Sequence, residues 1–132
     1  MTNDIILLPK DLYAIIILIG RIKMDREYLK QLFVNMQEIM NVDSLDEKLA
    51  LLKENNKMIV DELSINLNDT IDFLNTCSAK ELFWSCAFII ELSEYFRTKE
   101  LVKCIESNMA RVAEKGLRES IKLELDFIKN YV

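Results

Sequence analysis

Apolar residues recur at steps of three and four along most of the chain, which is the period of amphipathic α-helices. The clearest stripe follows Asp25, a residue type that caps helix N-termini, and it extends to about Asn41. Its apolar members are Leu29, Leu32, Phe33, Met36, Ile39 and Met40. The pattern predicts an all-α fold.

Capping signals divide the rest of the chain into further helices. Ser44 with Glu47, and Ser78 with Glu81, have the spacing of a capping box, and Asp43 is an alternative cap to Ser44. The first of these helices runs from about Ser44 to a break or kink at Asn55-Asn56, and the next from Lys57 to Asn75 with a second break near Asn66–Asn68. Three more helices are predicted, from Ala79 to Phe96, from Lys99 (capped by Thr98) to Lys115, and from Leu117 to Tyr131. Gly116 is predicted as the C′ residue of the helix before it. Six or seven helices joined by short turns predict antiparallel neighbours in one domain, residues 1–132, arranged as a bundle or a short α-solenoid-like stack.

The N-terminal residues carry two apolar runs separated by Pro9, Lys10 and Asp11. Pro9 suits the first turn of a helix that continues to about Lys23, but β-branched residues leave strand as the alternative over residues 5–24. Neither run approaches the ~20 residues needed to span a bilayer, and no signal-peptide pattern is present. We therefore expect a buried core segment, no membrane partner and a cytoplasmic protein.

Composition narrows the classes of partner. Of 132 residues, 51% are hydrophobic and only two are Gly and one Pro, which favours long helices over β-structure. A net charge of −5 without a basic block argues against nucleic-acid binding and favours a basic protein partner. Cys77, Cys86 and Cys104 fit neither a disulfide framework nor a zinc motif, which indicates a reducing compartment.

The residues that most enzymes depend on are missing from the sequence. The chain has no His, and its two Gly residues are too far apart for a phosphate-binding loop. Carboxylates spaced i, i+3 occur at Asp69 with Asp72 and at Glu91 with Glu94, but such pairs are usual on solvated helix faces. We therefore expect no enzymatic activity, no catalytic residues, no metal site and no cofactor; an enzyme that uses only carboxylates is the remaining alternative.

The helix from Ala79 to Phe96 has two apolar faces. At 100° per residue, aliphatic side chains occupy one face, while Trp84, Phe88 and Tyr95 lie on the opposite side with Glu91 among them and Glu81 beside them. The face is either core, in a helix sandwiched between neighbours, or a partner-binding surface with aromatic anchors. The candidate partner-binding residues are Asp69, Asp72, Glu81, Trp84, Glu91, Glu94 and Tyr95.

One segment carries a family resemblance. It spans residues 69–112 and includes the junction Phe73-Leu74-Asn75-x-Cys77-Ser78, Glu81-Leu82-x-Trp84, Glu91-Leu92-Ser93-Glu94 and a closing Lys99-Glu100-Leu101-Val102-x-Cys104-Ile105-Glu106. These motifs resemble the helical core of bacterial toxin-immunity proteins of the contact-dependent growth inhibition kind. The resemblance implies a cognate toxin as partner, often a nuclease with a basic cleft, whose active site the immunity protein blocks. A helical adaptor or regulatory domain, as a monomer or weak homodimer, is the alternative.

Overall fold

The computed structural model describes residues 23–132, and among these residues it contains helices and no strand. The helices are α1 (Arg26–Ile39), α2 (Leu45–Leu63), α3 (Leu67–Thr76), α4 (Ala79–Ser85), α5 (Ile89–Phe96), α6 (Glu100–Ser107) and α7 (Lys115–Lys129), with 3₁₀ turns at Cys86–Phe88 and Met109–Arg111. Within the described residues these are seven helices, or six if α4 and α5 are counted as one helix that a 3₁₀ turn interrupts. The prediction of an all-α fold with six or seven helices is therefore confirmed. The predicted helix from Pro9, and the choice between helix and strand for residues 5–24, fall almost wholly outside the described residues. No helix between residues 23 and 132 is long and apolar enough to cross a membrane.

Helix starts follow the local capping chemistry. The side chains of Asp25, Ser44 and Ser78 each accept a hydrogen bond from the backbone N–H three residues further on. At Ser78 the box is reciprocal, because the Glu81 carboxylate accepts the Ser78 N–H at 3.0 Å. The predicted starts of α1, α2 and α4 are therefore confirmed.

The predicted break at Asn55-Asn56 is wrong, because α2 runs without interruption from Leu45 to Leu63. Asn55 is buried and its amide donates to the Leu32 carbonyl of α1 at 3.0 Å, so a residue that usually favours turns instead joins the two helices. The chain breaks ten residues later. There Asn66 caps α3, and the Ser64 hydroxyl donates to the Val60 carbonyl at 2.6 Å, which satisfies a carbonyl at the α2 C-terminus.

Gly116 was predicted to end a helix, but it lies in the first turn of α7. Helix α6 already ends at Ser107, and the Asn108 side chain donates to the Cys104 carbonyl at 2.7 Å. The Arg111 guanidinium then donates to the Leu74 and Cys77 carbonyls at the end of α3. These hydrogen bonds hold residues 109–111 against α3. If α6 continued as a helix to Lys115, Arg111 would be displaced and these hydrogen bonds would be lost.

Buried apolar side chains from every α-helix form one core. At its centre, Phe33 of α1 stacks on Phe73 of α3 with ring centroids 6.2 Å apart, and Trp84 of α4 packs on Phe33 at 5.8 Å. The start of α1 is fixed to this core by two backbone N–H groups. Met24 donates to Asp69 at 2.9 Å and Asp25 donates to the buried Glu62 at 2.7 Å.

Helix α5 ends at a non-glycine residue with left-handed backbone, Arg97, whose φ is 53°. The Thr98 N–H reaches the Ser93 carbonyl at 3.1 Å, and the Arg97 N–H reaches the Glu94 carbonyl at 3.3 Å, the two hydrogen bonds of a Schellman motif. The left-handed conformation costs a residue with a Cβ roughly 1–2 kcal/mol.

We expect Arg97→Gly to raise the free energy of unfolding by about 1 kcal/mol in urea denaturation, whereas Arg97→Ala does not raise it. Equal stability of the two variants would contradict this interpretation of the turn.

All three cysteines are buried, and Cys86, between α4 and α5, is the least accessible at 2% exposed. Burial raises the pKa of the Cys86 thiol from 9.0 to about 12. In the unfolded chain the thiol ionises near pH 9, so raising the pH from 9 toward 12 stabilises the unfolded state and folding stability falls. Between pH 8 and pH 10 we expect wild type to lose about 1 kcal/mol more than Cys86→Ala, measured by urea denaturation. Parallel losses in the two proteins would show that the Cys86 thiol does not contribute to this pH dependence.

Candidate protein-binding surface

The predicted aromatic face of residues 79–96 is not one continuous surface. Phe88 is buried, Trp84 is half-buried against Phe33, and Tyr95 is 66% exposed. The cause is the 3₁₀ turn at Cys86–Phe88. In a regular α-helix, with 100° per residue, Tyr95 would lie about 20° from Trp84 around the helix axis. The three residues of the 3₁₀ turn rotate by about 120° each, which increases this angle to about 80°. The prediction of one face was wrong because it assumed an uninterrupted helix.

The predicted acidic residues lie in different surroundings. The carboxylates of Asp69 and Glu81 are half-buried and accept backbone N–H groups at the starts of α1 and α4, so both have structural roles. Asp72, Glu91 and Glu94 are exposed. Of these, Glu94 lies beside the C-terminal helix, while Glu91 lies in a groove along α2. The structure therefore does not gather the seven candidate residues into one site.

Helix α7 carries an exposed apolar stripe that the sequence analysis missed. Its inner face, Ile121, Leu125 and Ile128, is buried in the core. Its outer face presents Leu123 and Phe127, and Tyr131 follows in the turn after the helix; the three side chains are 72%, 52% and 61% exposed. These three, here called the α7 stripe, follow at steps of four, and Leu123 and Phe127 lie about 40° apart around the helix axis. The Phe127 and Tyr131 rings are in contact, with centroids 4.9 Å apart.

Within α7, the charged residues nearest the stripe are of one sign. The three carboxylates of α7, Glu119, Glu124 and Asp126, are all exposed and lie about 60–100° from Phe127 around the helix axis. The four basic residues of α7 lie more than about 100° away, on the sides that flank the core. Two of them are already engaged: Lys129 forms an ion pair with Glu106 at 2.9 Å, and Arg118 donates to the Val112 carbonyl at 2.9 Å. The outer face of α7 is therefore apolar at its centre and acidic at its rim.

The predicted residue Glu94 extends this surface. A shallow cleft at the end of α5 is lined by Glu94, Arg97, Thr98 and Lys99 together with Tyr131 and Val132 of the C-terminus, so the charge beside Tyr131 is mixed. Exposed aromatic side chains next to carboxylates are typical of the anchor residues of protein interfaces. The signal that could have found the stripe is in the sequence, since α7 has two apolar stripes where one suffices for packing against a core.

Two adjoining hollows beside α2 are here together called the α2 groove. One half is lined by Met36, Met40, Leu52 and Trp84 with Gln37 and Asn41, and the other by Lys53, Lys57, Asp61 and Glu91 with Val60, Ala87 and Phe88. Asn56 lies where the halves meet, and within the described residues its buried Oδ1 atom has no hydrogen-bond partner. The half-buried Trp84 and the exposed Glu91, both predicted as partner-binding residues, therefore belong to this groove and not to the α7 stripe.

Comparison of the chain with models of known families, with characterised proteins and with solved structures finds no match. Among residues 23–132, no group of three Cys, Asp or Glu side chains is placed to hold a metal ion. The site is therefore described by its surface chemistry alone: three exposed apolar anchors, two of them aromatic, within an acidic rim.

Proposed function

We propose that this chain is a protein-binding inhibitor, an immunity protein that neutralises a bacterial toxin of the contact-dependent growth inhibition kind. The observation that carries the proposal is the α7 stripe with its acidic rim. The resemblance over residues 69–112 supports the class of protein, and the surface chemistry of α7 supports the class of partner.

The partner that fits this surface has a basic rim around an apolar hollow. Phe127 and Tyr131 would enter the hollow, where burial of large aromatic side chains contributes most of the binding free energy. Glu119, Glu124 and Asp126 would face lysines and arginines, which accelerates encounter and selects against acidic partners. The cleft of a nuclease toxin is basic because it binds phosphates, and carboxylates seated there would exclude the substrate.

The proposal is tested with the protein encoded by the neighbouring reading frame, which is expected to carry the toxin domain; a neighbour without one would already contradict the proposal. The two purified proteins are titrated in a calorimeter, and toxin activity is assayed across the same titration. We expect association at micromolar concentration or tighter, loss of toxin activity at one equivalent, and weaker binding at higher salt because exposed charges are screened. If the pair fails to associate, or associates while the toxin stays fully active, the proposal is wrong.

A further inference from the structure

We infer that the α2 groove accepts the α7 stripe of a second copy of this chain, so that the protein associates head to tail. This inference concerns the chain alone and holds or fails independently of any toxin. It uses the α7 stripe, and it implies that self-association and partner binding compete for that surface.

The two surfaces match in shape. The groove follows α2 from Leu52 to Asp61, about 14 Å, and the stripe follows α7 from Leu123 to Tyr131, about 12 Å. An exposed helix face with apolar anchors at steps of four is the usual occupant of an apolar groove between helices. Two methionines in the groove wall can adapt their side chains to an incoming aromatic ring.

The two surfaces also match in charge. Lys53 and Lys57 stand on the groove wall, and within the described residues neither has an ion-pair partner. The carboxylates beside the stripe, Glu119, Glu124 and Asp126, are likewise without an ion pair in that part of the chain. Asp61 and Glu91 line the same part of the groove as the two lysines.

Charge argues against the symmetric alternative. If two α7 stripes packed on each other across a two-fold axis, their acidic rims would face each other, and like charges at close range oppose association. A head-to-tail contact brings together two different surfaces and leaves a free groove at one end and a free stripe at the other.

The test is sedimentation velocity of the full chain, from about 5 to 500 micromolar, in low salt. Wild type is compared with a groove variant, Lys53→Glu with Lys57→Glu, and with a stripe variant, Phe127→Asp. The matched control, Lys30→Glu with Lys103→Glu, makes the same change in net charge at exposed positions outside both surfaces. We expect wild type and control to associate with rising concentration, and each of the other two variants to associate at least tenfold more weakly.

Mixing the two defective variants gives the decisive measurement. The groove variant retains an intact stripe and the stripe variant retains an intact groove, so the mixture should form a dimer that grows no further. A wild-type chain that is monomeric over the whole range would overturn the inference. So would a mixture that stays monomeric, or variants that associate as strongly as wild type.

Discussion

Replacing Phe127 by lysine should weaken association with the proposed basic partner by about 100-fold or more while leaving the fold intact. Phe127 is the central residue of the α7 stripe, and truncation of an interface anchor typically costs 2 kcal/mol or more, about 30-fold in affinity. A lysine at this position also places a positive charge against a basic surface, which opposes association further. Because the side chain is 52% exposed, little of the folding free energy depends on it.

The control for this variant is Val34→Lys. Val34 is an exposed apolar residue of α1, 44% accessible, and the substitution makes the same change in net charge outside the stripe. Calorimetric titration of both variants with the toxin domain should give a large loss of affinity for Phe127→Lys and less than about threefold for Val34→Lys. An equal loss for the two variants would mean that net charge, and not the α7 stripe, governs the interaction.

The second large effect is on stability. Phe73→Ala should lower the free energy of unfolding by about 3–5 kcal/mol, a large share of the 5–15 kcal/mol typical of a domain. Phe73 is fully buried, with Phe33 on one side and the Arg26 guanidinium 5.4 Å from its ring centroid. The truncation therefore removes an aromatic stack and a cation–π contact and leaves a cavity in the core.

Phe127→Ala provides the matched comparison, because it removes the same side chain from the surface. We expect a change in unfolding free energy within about 0.5 kcal/mol for this variant and a clear loss of binding, the reverse of the result for Phe73→Ala. Urea denaturation measures the unfolding free energy, and calorimetry measures the binding affinity. A loss of 3 kcal/mol or more on truncation of Phe127 would mean that the stripe belongs to the core.

The sequence predicted those helix boundaries that depend on neighbouring residues. The caps at Asp25, Ser44 and Ser78 are hydrogen bonds across three residues, so the spacing alone defines them. The boundaries near Asn55 and Gly116 failed because residues distant in sequence decide them. Asn55 is held in helix by the carbonyl of Leu32, and the end of α6 follows from the reach of Arg111 to α3.

The candidate site was harder to predict for the same reason. Apolar periodicity identifies a stripe but does not tell which of two stripes is covered by the rest of the fold. In residues 79–96 the aromatic side chains fit either core or a partner-binding face, and the structure divides them: Phe88 is core, Trp84 is half-buried and Tyr95 is exposed. In α7 the pattern identifies the inner face, Ile121, Leu125 and Ile128, but does not tell whether Leu123 and Phe127, both more than half exposed, are covered. Whether such a stripe is buried or exposed depends on how the helices pack against one another.

The outer face of α7 is the surface that we propose to bind the partner. Hydroxyl-radical footprinting at a concentration where the free chain is monomeric, with and without the proposed toxin domain, measures this because exposed aromatic and sulfur-containing side chains report their own accessibility. Tyr28 of α1 and Met58 of α2 are exposed outside both the α7 stripe and the α2 groove, so they serve as internal references. We expect the complex to protect Phe127 and Tyr131 from oxidation while both references react as in the free chain. Protection of Tyr28 and Met58 with unchanged oxidation of Phe127 and Tyr131 would mean that a different face binds the partner.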